Sequence, residues 1–164
     1  MTTIGLMSDT HDKLDAVERA IDFFNQSGVR HVLHAGDLNS AFVVPLFSRL
    51  RARLHYVWGN NDGDQEMITA RFKELGLPPP ENFESLKLGG RRIALLHGTH
   101  PGIVEAVVRS GMYDVVVRGH THRAKVTGRR PLVVNPGEVC GYLTGKETVA
   151  LLDLVRLRVR IIEL

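Results

Sequence analysis

The chain has 164 residues, of which 43% are hydrophobic, 24% charged and 6% aromatic. This length and composition predict a single globular domain over residues 1–164 and exclude intrinsic disorder as the default state. No apolar run approaches the roughly 18 residues of a membrane helix, and the N-terminus lacks the regions of a signal peptide. We therefore expect no membrane partner. A lone cysteine, Cys140, cannot form an internal disulfide, which favours a cytoplasmic location.

The charge balance is modest, with 21 Lys and Arg residues against 18 Asp and Glu residues and a net charge of +3. A surplus of this size is compatible with an anionic substrate, but it does not predict a groove for polymeric nucleic acid. Charge and composition therefore indicate a globular protein and leave its chemistry open.

Strands and helices alternate in the first half of the chain, which predicts a parallel sheet with helices packed on it. The apolar residues after Lys13 share one helix face, and Gly28 follows the end of that helix. Ser40 is a candidate cap for a second helix, in which Pro45 should introduce a bend or mark the true start. We expect strands over residues 3–7, 29–34 and 54–58, and helices over residues 13–27, 40–50 and 64–75.

The second half of the chain is richer in strands. Gly89 and Gly90 separate two strand-like runs and indicate a hairpin. One further helix is expected over residues 103–109. The remaining strands are expected over residues 113–117, 124–127, 132–135, 148–154 and 155–162.

Potential metal ligands follow five of the predicted strands. Sites in open α/β sheets lie beyond the carboxyl ends of the strands, so neighbouring strands would bring these side chains together. Most of these motifs are weak alone, since an Asp beside a Gly is usually turn chemistry and a histidine after a buried strand is often a core residue. The pair His120 and His122 is the most specific, because two histidines two apart after a buried strand rarely serve packing. The occurrence of all these motifs together and in order favours a site. The donors are Asp9, His11, Asp37, Asn60, His97, His120 and His122.

This donor set consists of two carboxylates, four imidazoles and one amide oxygen. It suits Mn²⁺, Fe²⁺, Co²⁺, Ni²⁺ or Zn²⁺ better than Ca²⁺ or Cu⁺, and seven ligands are too many for one tetrahedral ion. We expect two divalent ions that share a bridging carboxylate, with Mn²⁺ as the first choice. Two such ions, two carboxylates and a bridging hydroxide leave one positive charge, which matches a phosphodiester monoanion. Metal-assisted phosphoester hydrolysis is therefore the expected reaction.

The ordered motifs resemble those of the calcineurin-like metallophosphoesterases. The length and the motif beginning at Asn135 resemble in particular the small, single-domain YfcE-like phosphodiesterases of bacteria and archaea. The resemblance runs from about residue 3 to the C-terminal strands. The motifs that carry it are Ser8-Asp-Thr-His11, Gly36-Asp37, Gly59-Asn-Asn-Asp62, His97-Gly98, Gly119-His-Thr-His122 and Val134-Asn-Pro-Gly137.

The resemblance implies an α/β fold, a four-layer α/β/β/α sandwich of two mixed sheets. It also implies that one metal ion is held by Asp9, His11, Asp37 and His122. A second ion would be held by Asp37, Asn60, His97 and His120, with Asp37 as the bridge. A hydroxide between the ions would attack the phosphorus of a small or nucleotide-like phosphodiester in line.

One position departs from the family pattern. Many members have a histidine where this chain has Asn61, and that histidine assists the phosphate oxygens or the leaving group. An amide donates a hydrogen bond but transfers no proton, so we expect weaker acid catalysis and a preference for good leaving groups. Asp62, which orients that histidine in the family, is expected to hold the loop here. His100 is close enough to His97 in sequence to contact substrate, the alternative being a solvated loop residue.

Two other features have less specific interpretations. Cys140 is expected to be an inert buried residue rather than a nucleophile. Arg156, Arg158 and Arg160 alternate with apolar residues, which predicts a solvated strand face that protects a sheet edge. A nucleic-acid-binding stripe is the less favoured interpretation, because no aromatic residues are interleaved.

Two alternatives to a phosphodiesterase remain open. The retromer scaffold subunit has the same fold with a degraded metal site, so a non-catalytic interaction module is one alternative. All seven donor positions are intact here, which favours an enzyme. A nuclease acting on long polymers is the other, and the small net charge disfavours it. The sequence leaves open a homo-oligomer and monoesterase activity.

Overall fold

A computed structural model describes residues 3–164 of the chain. It contains ten β-strands, three α-helices and one 3₁₀ helix within those residues. In chain order the elements are β1 (Thr3–Met7), α1 (Leu14–Ser27), β2 (His31–His34), the 3₁₀ helix (Val44–Arg49), β3 (Arg53–Tyr56), α2 (Gln65–Glu74), β4 (Phe83–Leu88), β5 (Arg91–Leu96), α3 (Pro101–Arg109), β6 (Val115–Val117), β7 (Lys125–Thr127), β8 (Leu132–Asn135), β9 (Thr148–Asp153) and β10 (Arg158–Glu163).

The strands form two five-stranded mixed sheets. The first has the order β10-β9-β1-β2-β3, and the second has the order β4-β5-β6-β8-β7. Strands β1, β2 and β3 are parallel neighbours, as are β5, β6 and β8. The carboxyl ends of these strands therefore lie at one edge of each sheet.

Three apolar layers define how the sheets and helices stack. Helices α1 and α2 cover the outer face of the first sheet through residues such as Phe24 and Phe72. A second layer between the sheets contains Leu6 from the first sheet and Val117 from the second. Helix α3 covers the outer face of the second sheet through Val104. This order confirms the predicted four-layer α/β/β/α sandwich.

The segment after Ser40 differs from its prediction. It forms a 3₁₀ helix over Val44–Arg49 with Pro45 in its first turn, and not an α-helix from Ser40. The Ser40 hydroxyl donates a hydrogen bond to Asp12 Oδ1 (2.7 Å), so it caps no helix. Pro45 marks the start of the helix, because a residue without a backbone N–H is tolerated there.

The last strand begins three residues later than predicted. The carboxylate of Asp153 accepts hydrogen bonds from the backbone N–H groups of Val155 (2.9 Å) and Arg156 (3.1 Å), and this forms a turn before β10. Arg156 therefore lies in the turn, while Arg158 and Arg160 are exposed on the edge strand β10. Within residues 3–164, no helix combines the length and hydropathy needed to cross a membrane.

Candidate metal centre

Five strands place the seven predicted donors at one rim of the molecule. Loops that leave β1, β2 and β3 carry Asp9, His11, Asp37 and Asn60, while those after β5 and β6 carry His97, His120 and His122. The loops of the first sheet are joined by the backbone N–H of Asp9, which donates to Gly36 O (3.0 Å). The two sheets are joined at the same rim by His97 Nδ1, which donates to Ala35 O (2.6 Å).

The first predicted ligand set is assembled. Asp9, His11, Asp37 and His122 each offer a ligand atom, and these four atoms lie within 4.8 Å of one another. His11 Nε2 lies 3.5 Å from Asp37 Oδ2, and His122 Nε2 lies 3.4 Å from Asp9 Oδ1. Four donors at this spacing converge as metal ligands do.

Three members of the second predicted set, Asp37, Asn60 and His97, lie close together. The Nε2 atom of His97 lies 3.3 Å from Asp37 Oδ2 and 3.0 Å from Asn60 Oδ1. His120 lies beside His97, with ring centroids 5.2 Å apart, but within residues 3–164 the ligand atoms of Asp37, His97 and His120 form no group within 4.8 Å of one another. The oxygen Asp37 Oδ2 therefore faces an imidazole nitrogen of each set.

Two observations show that the residues present fit a divalent cation. Asp9 Oδ1 is buried and has no hydrogen-bond partner within the described residues, although an unpartnered buried carboxylate oxygen is costly. When His97 Nδ1 donates to Ala35, the neutral ring presents the lone pair of Nε2 to two further acceptors, Asp37 Oδ2 and Asn60 Oδ1. Three acceptor atoms this close together repel one another unless a positive charge lies among them.

A carboxylate fixes the orientation of His122. Glu138 Oε2 accepts a hydrogen bond from His122 Nδ1 at 2.6 Å, which leaves Nε2 free to bind a metal. Glu138 is itself held by the backbone N–H groups of Leu143 and Thr144 and by the Thr144 hydroxyl. Burial opposes ionisation of Glu138, but the hydrogen bonds from His122 and Thr144 outweigh it and lower the pKa of Glu138 to about 2. Glu138 thus stays an acceptor at neutral pH.

The ligand loops carry backbone strain. Five of the seven donors have a positive φ, a region that side chains other than glycine rarely adopt. The surrounding hydrogen bonds hold this conformation. These donors are Asp9 (55°), His11 (42°), Asp37 (63°), His120 (70°) and His122 (60°).

Asp62 holds the loop around Asp37, as expected. Its buried carboxylate accepts hydrogen bonds from the backbone N–H groups of Leu38 (2.8 Å), Asn39 (2.9 Å) and Gly59 (2.7 Å). One side chain thereby fixes the loops that carry Asp37 and Asn60.

Asn61 contacts the shared carboxylate directly. Its backbone N–H donates to Asp37 Oδ1 (2.8 Å), and its side-chain Nδ2 donates to Asp37 Oδ2 (2.7 Å). Burial opposes ionisation of Asp37, but the hydrogen bonds from His97 and Asn61 outweigh it and hold the pKa of Asp37 below its ordinary value. Asn61 therefore stabilises the charged form of the residue that both sets share.

Nearby carboxylates raise the pKa of the two imidazoles that face Asp37, those of His11 and His97. Burial alone would lower the pKa of His11, but the Asp9 and Asp37 carboxylates raise it above its ordinary value. The pKa of His97 is likewise raised, because the attraction of Asp37 outweighs the cost of burial. In metal-free protein these carboxylates attract protons, and the same negative potential would attract a metal cation.

His34 supports the ligand loops from inside the first sheet. Its Nδ1 accepts a hydrogen bond from the backbone N–H of Gly36 (3.1 Å), and its Nε2 lies 3.3 Å from the Thr10 hydroxyl. Burial is the main cause that lowers the pKa of His34 to about 3, so the ring is neutral at physiological pH. A neutral His34 links the loops that carry Asp9 and Asp37.

An open pocket of about 380 Å³ adjoins the second ligand set. Asn60 and His97 form its inner wall, and Trp58, Ile103 and His100 form part of the remainder. His100 is exposed and precedes α3, and it lines the same pocket as Asn60 and His97. Its role in substrate contact stays a prediction.

Cys140 is buried beside the first ligand set, yet its chemistry argues against a nucleophile. Burial is the main cause that raises the pKa of the Cys140 thiol to about 12, and Sγ donates to Glu138 Oε2 (3.2 Å). The group therefore remains a protonated thiol, as expected for an inert residue.

Sequence reasoning missed the roles of two supporting residues. Glu138 directly follows the quoted motif Val134-Asn-Pro-Gly137, but its contact with His122 spans 16 residues. The position of Glu138 next to that motif is the sequence signal that could have indicated its role. His34 lies in a strand, where a histidine is usually a packing or edge residue, so no sequence signal indicated its role. His55 lies buried with Nδ1 2.9 Å from Glu84 Oε1 of the second sheet.

The fold and this centre define the chain as a metal-dependent phosphoesterase, and it belongs to the calcineurin-like phosphoesterase superfamily, whose domain profile matches residues 2–156. It is 41% identical over 152 residues to phosphodiesterase MJ0936 of Methanocaldococcus jannaschii, with 92% of each chain covered. It is 27% identical to phosphodiesterase YfcE of Escherichia coli, with 85% of this chain and 80% of YfcE covered. A solved structure of an archaeal phosphodiesterase matches with a TM-score of 0.93 at 39% identity, covering 99% of each chain.

Proposed function

We propose that the protein is a phosphodiesterase that uses two divalent metal ions sharing Asp37. One ion would be held by Asp9, His11, Asp37 and His122, and the other by Asp37, Asn60, His97 and His120. The observation that carries the proposal is that a single oxygen, Asp37 Oδ2, lies 3.5 Å from His11 Nε2 and 3.3 Å from His97 Nε2. A carboxylate that faces both sets suits a bridging ligand.

When bound, two such ions supply a nucleophile from water and offset the charge that builds on the phosphoryl oxygens. We propose attack on phosphorus in line with the departing ester oxygen. With two carboxylates among the ligands, a loaded centre retains a small positive charge, which favours a phosphodiester monoanion. The names of the relatives support the same class of substrate. Mn²⁺ is our first choice of ion because the ligands are oxygens and imidazoles without a thiolate.

Among the described side chains of the site, none is suited to protonate the departing ester oxygen. Asn61 directs its Nδ2 hydrogen at Asp37, and an amide has no proton to transfer at neutral pH. His100 is exposed in the adjoining pocket, where it would contact the substrate. We therefore propose that esters with good leaving groups react fastest and that His100 assists binding.

The interaction-module alternative is less consistent with the site. A scaffold has no use for a buried carboxylate oxygen that lacks a partner, as Asp9 Oδ1 does within the described residues. A scaffold also does not need the strained backbone that is found at five of the candidate ligands. We propose catalysis, with a small phosphodiester as the substrate and a cytoplasmic location as expected from the sequence.

The test compares hydrolysis of bis(4-nitrophenyl) phosphate and 4-nitrophenyl phosphate. The protein is first stripped of metal with a chelator and then supplied with Mn²⁺, Ni²⁺, Co²⁺, Zn²⁺ or Mg²⁺. We expect no activity without metal, restoration by some ions only, and a higher kcat/KM for the diester. Asp37→Asn should lose the activity, whereas Asp22→Asn, on an exposed face of α1, should retain it. Equal activity of the stripped and reloaded proteins would contradict the proposal.

A further inference from the structure

The stretch from residue 115 to residue 137 is strongly cationic. It contains five of the 21 basic residues of the chain and none of its 18 acidic residues. The rest of the chain therefore has more acidic than basic residues, although the net charge of the whole is +3. The charge of this protein is concentrated at one place in the fold, around β6, β7 and β8.

Three of these cations line a concave pocket of about 350 Å³ on the second sheet. They are Arg118, Arg123 and Lys125, and the hydroxyl-bearing residues Thr121 and Thr127 also line the pocket. None of the three cations forms an ion pair within residues 3–164. Cations gathered in a cleft without acidic partners attract anions more strongly than isolated surface charges do.

Arg118 is fixed in a way that keeps its charge unneutralised. Its Nε donates to Gly119 O (3.2 Å), and its Nη2 donates to Gly98 O (3.3 Å). The side chain is half-buried. Carbonyl oxygens satisfy two of its donors without cancelling the charge, so the group is poised to bind an anion.

The pocket adjoins the metal centre through the loop after β6. Thr121 lies between the ligands His120 and His122 in sequence, and its hydroxyl accepts a hydrogen bond from Asn135 Nδ2 (2.9 Å). The same Nδ2 atom donates to Gly119 O (2.9 Å). One wall of the cationic pocket is therefore part of the loop that carries two metal ligands. The 380 Å³ pocket beside Asn60 and His97 adjoins the centre at its other ligand set.

We propose that this pocket binds a second phosphate group of the substrate, so that the enzyme prefers phosphodiesters that carry an additional phosphate. The inference rests on the proposed phosphodiesterase function. A pocket of this size takes a phosphate and part of its sugar, and the hydroxyls and cations offer the donors that phosphate oxygens accept. The preferred substrate is then a small phosphorylated nucleotide diester.

The activity test uses two substrates with the same leaving group. They are thymidine 5′-(4-nitrophenyl phosphate) and the same compound with a 3′-phosphate. We expect a kcat/KM ratio of roughly ten in favour of the phosphorylated compound at low salt, because charge-assisted hydrogen bonds contribute this much. The ratio should fall towards one in Arg123→Gln/Lys125→Gln and as salt is added, and it should persist in Lys87→Gln, an exposed cation on β4. A ratio of one in the unaltered protein, or an unchanged ratio in the double variant, would overturn the proposal.

A binding test separates this inference from the proposed activity. Metal-stripped protein labelled with ¹⁵N is titrated with pyrophosphate, and backbone amide resonances are followed. We expect saturable shifts in residues 118–127 that disappear in Arg123→Gln/Lys125→Gln and weaken with salt. Shifts without saturation, or confined to other regions, would overturn the anion pocket even if the protein hydrolyses diesters. Saturation in a protein that hydrolyses none would contradict only the proposed function.

Discussion

At the scale of single residues, Glu138 determines how His122 faces the metal centre. Its carboxylate accepts the Nδ1 hydrogen of His122 at 2.6 Å and is held by two backbone N–H groups. In Glu138→Gln the ring loses a charged acceptor, and we expect metal affinity to fall by about 10- to 100-fold. Titration with Mn²⁺ followed by calorimetry measures this change.

The matched control is Glu163→Gln, because Glu163 is exposed on β10 and, among residues 3–164, forms its one ion pair with Lys146. It should bind metal as the unaltered protein does. Unchanged affinity in Glu138→Gln would mean that the hydrogen bond to His122 is not needed to orient the ligand.

His34 makes stability depend on pH. Its folded-state pKa of about 3 lies below the ordinary value of 6.5, so below pH 6.5 the unfolded chain binds a proton that the folded chain does not. This contribution to stability is present above pH 6.5 and is lost as the pH falls towards 3. We expect the free energy of unfolding of metal-free protein to fall between pH 6.5 and 5, before most carboxylates titrate.

The variant His34→Gln should show a flatter dependence in the same pH range, measured by urea unfolding. His100→Gln removes an exposed histidine and should keep the slope of the unaltered protein. A slope that is identical in His34→Gln and the unaltered protein would exclude His34 as its source.

Asn61 is the reason that we expect esters with good leaving groups to react fastest. Replacing it with histidine would supply a group that transfers a proton at neutral pH. We expect Asn61→His to raise kcat for phenyl esters, which have a poor leaving group, more than for 4-nitrophenyl esters. Steady-state kinetics with the two substrates tests this, and an equal effect on both would show that position 61 takes no part in protonation.

The donors themselves could be predicted from the sequence because each follows a buried strand within a few residues. Asp37, for example, lies three residues beyond the end of β2. Glu138 and His34 could not be assigned in the same way. Their partners, His122 and Thr10, lie 16 and 24 residues away, and only the folded chain brings them together.

At the scale of elements, the loop after β3 depends on a glycine for its close approach to Asp37. A Cβ atom on Gly59 would lie 2.0 Å from Asp37 Oδ1 and 2.4 Å from Asp37 N. Backbone and a buried carboxylate cannot retreat, so Gly59→Ala should displace Asp37. We expect loss of metal binding and of activity, measured by metal analysis and diester hydrolysis.

Gly102→Ala is the matched control, since a Cβ atom there meets no atom within 4 Å. Because Gly102 lies in α3 and alanine favours helices, this variant should be at least as stable as the unaltered protein. Metal binding at full affinity in Gly59→Ala would show that the loop tolerates a side chain and that the approach to Asp37 is not required.

Element types were more predictable than element ends. Apolar periodicity identified α1, and Val17, Ile21 and Phe24 lie on its buried side, whereas Leu14, which shares their spacing, is exposed. The turn before β10 could not be read from the alternating arginines, because it depends on hydrogen bonds to Asp153. The start of the 3₁₀ helix likewise could not be read from Ser40, because the Ser40 hydroxyl bonds to Asp12 instead of capping a helix.

At the scale of the whole molecule, the metal centre lies where the two sheets meet. Ligands from the first sheet face ligands from the second, and Leu6 and Val117 belong to the apolar layer between the sheets. We propose that residues 1–164 fold as one cooperative domain that bound metal stabilises, because a ligand that binds only the folded state favours it.

The most direct test of the central claim is the number of metal ions bound per chain. Metal-stripped protein is saturated with Mn²⁺, freed of excess ion, and analysed for metal content alongside its electron paramagnetic resonance spectrum. We expect two ions per chain and the spectrum of an exchange-coupled pair, both lost in Asp37→Asn. A single uncoupled ion per chain in fully active protein would contradict the central claim.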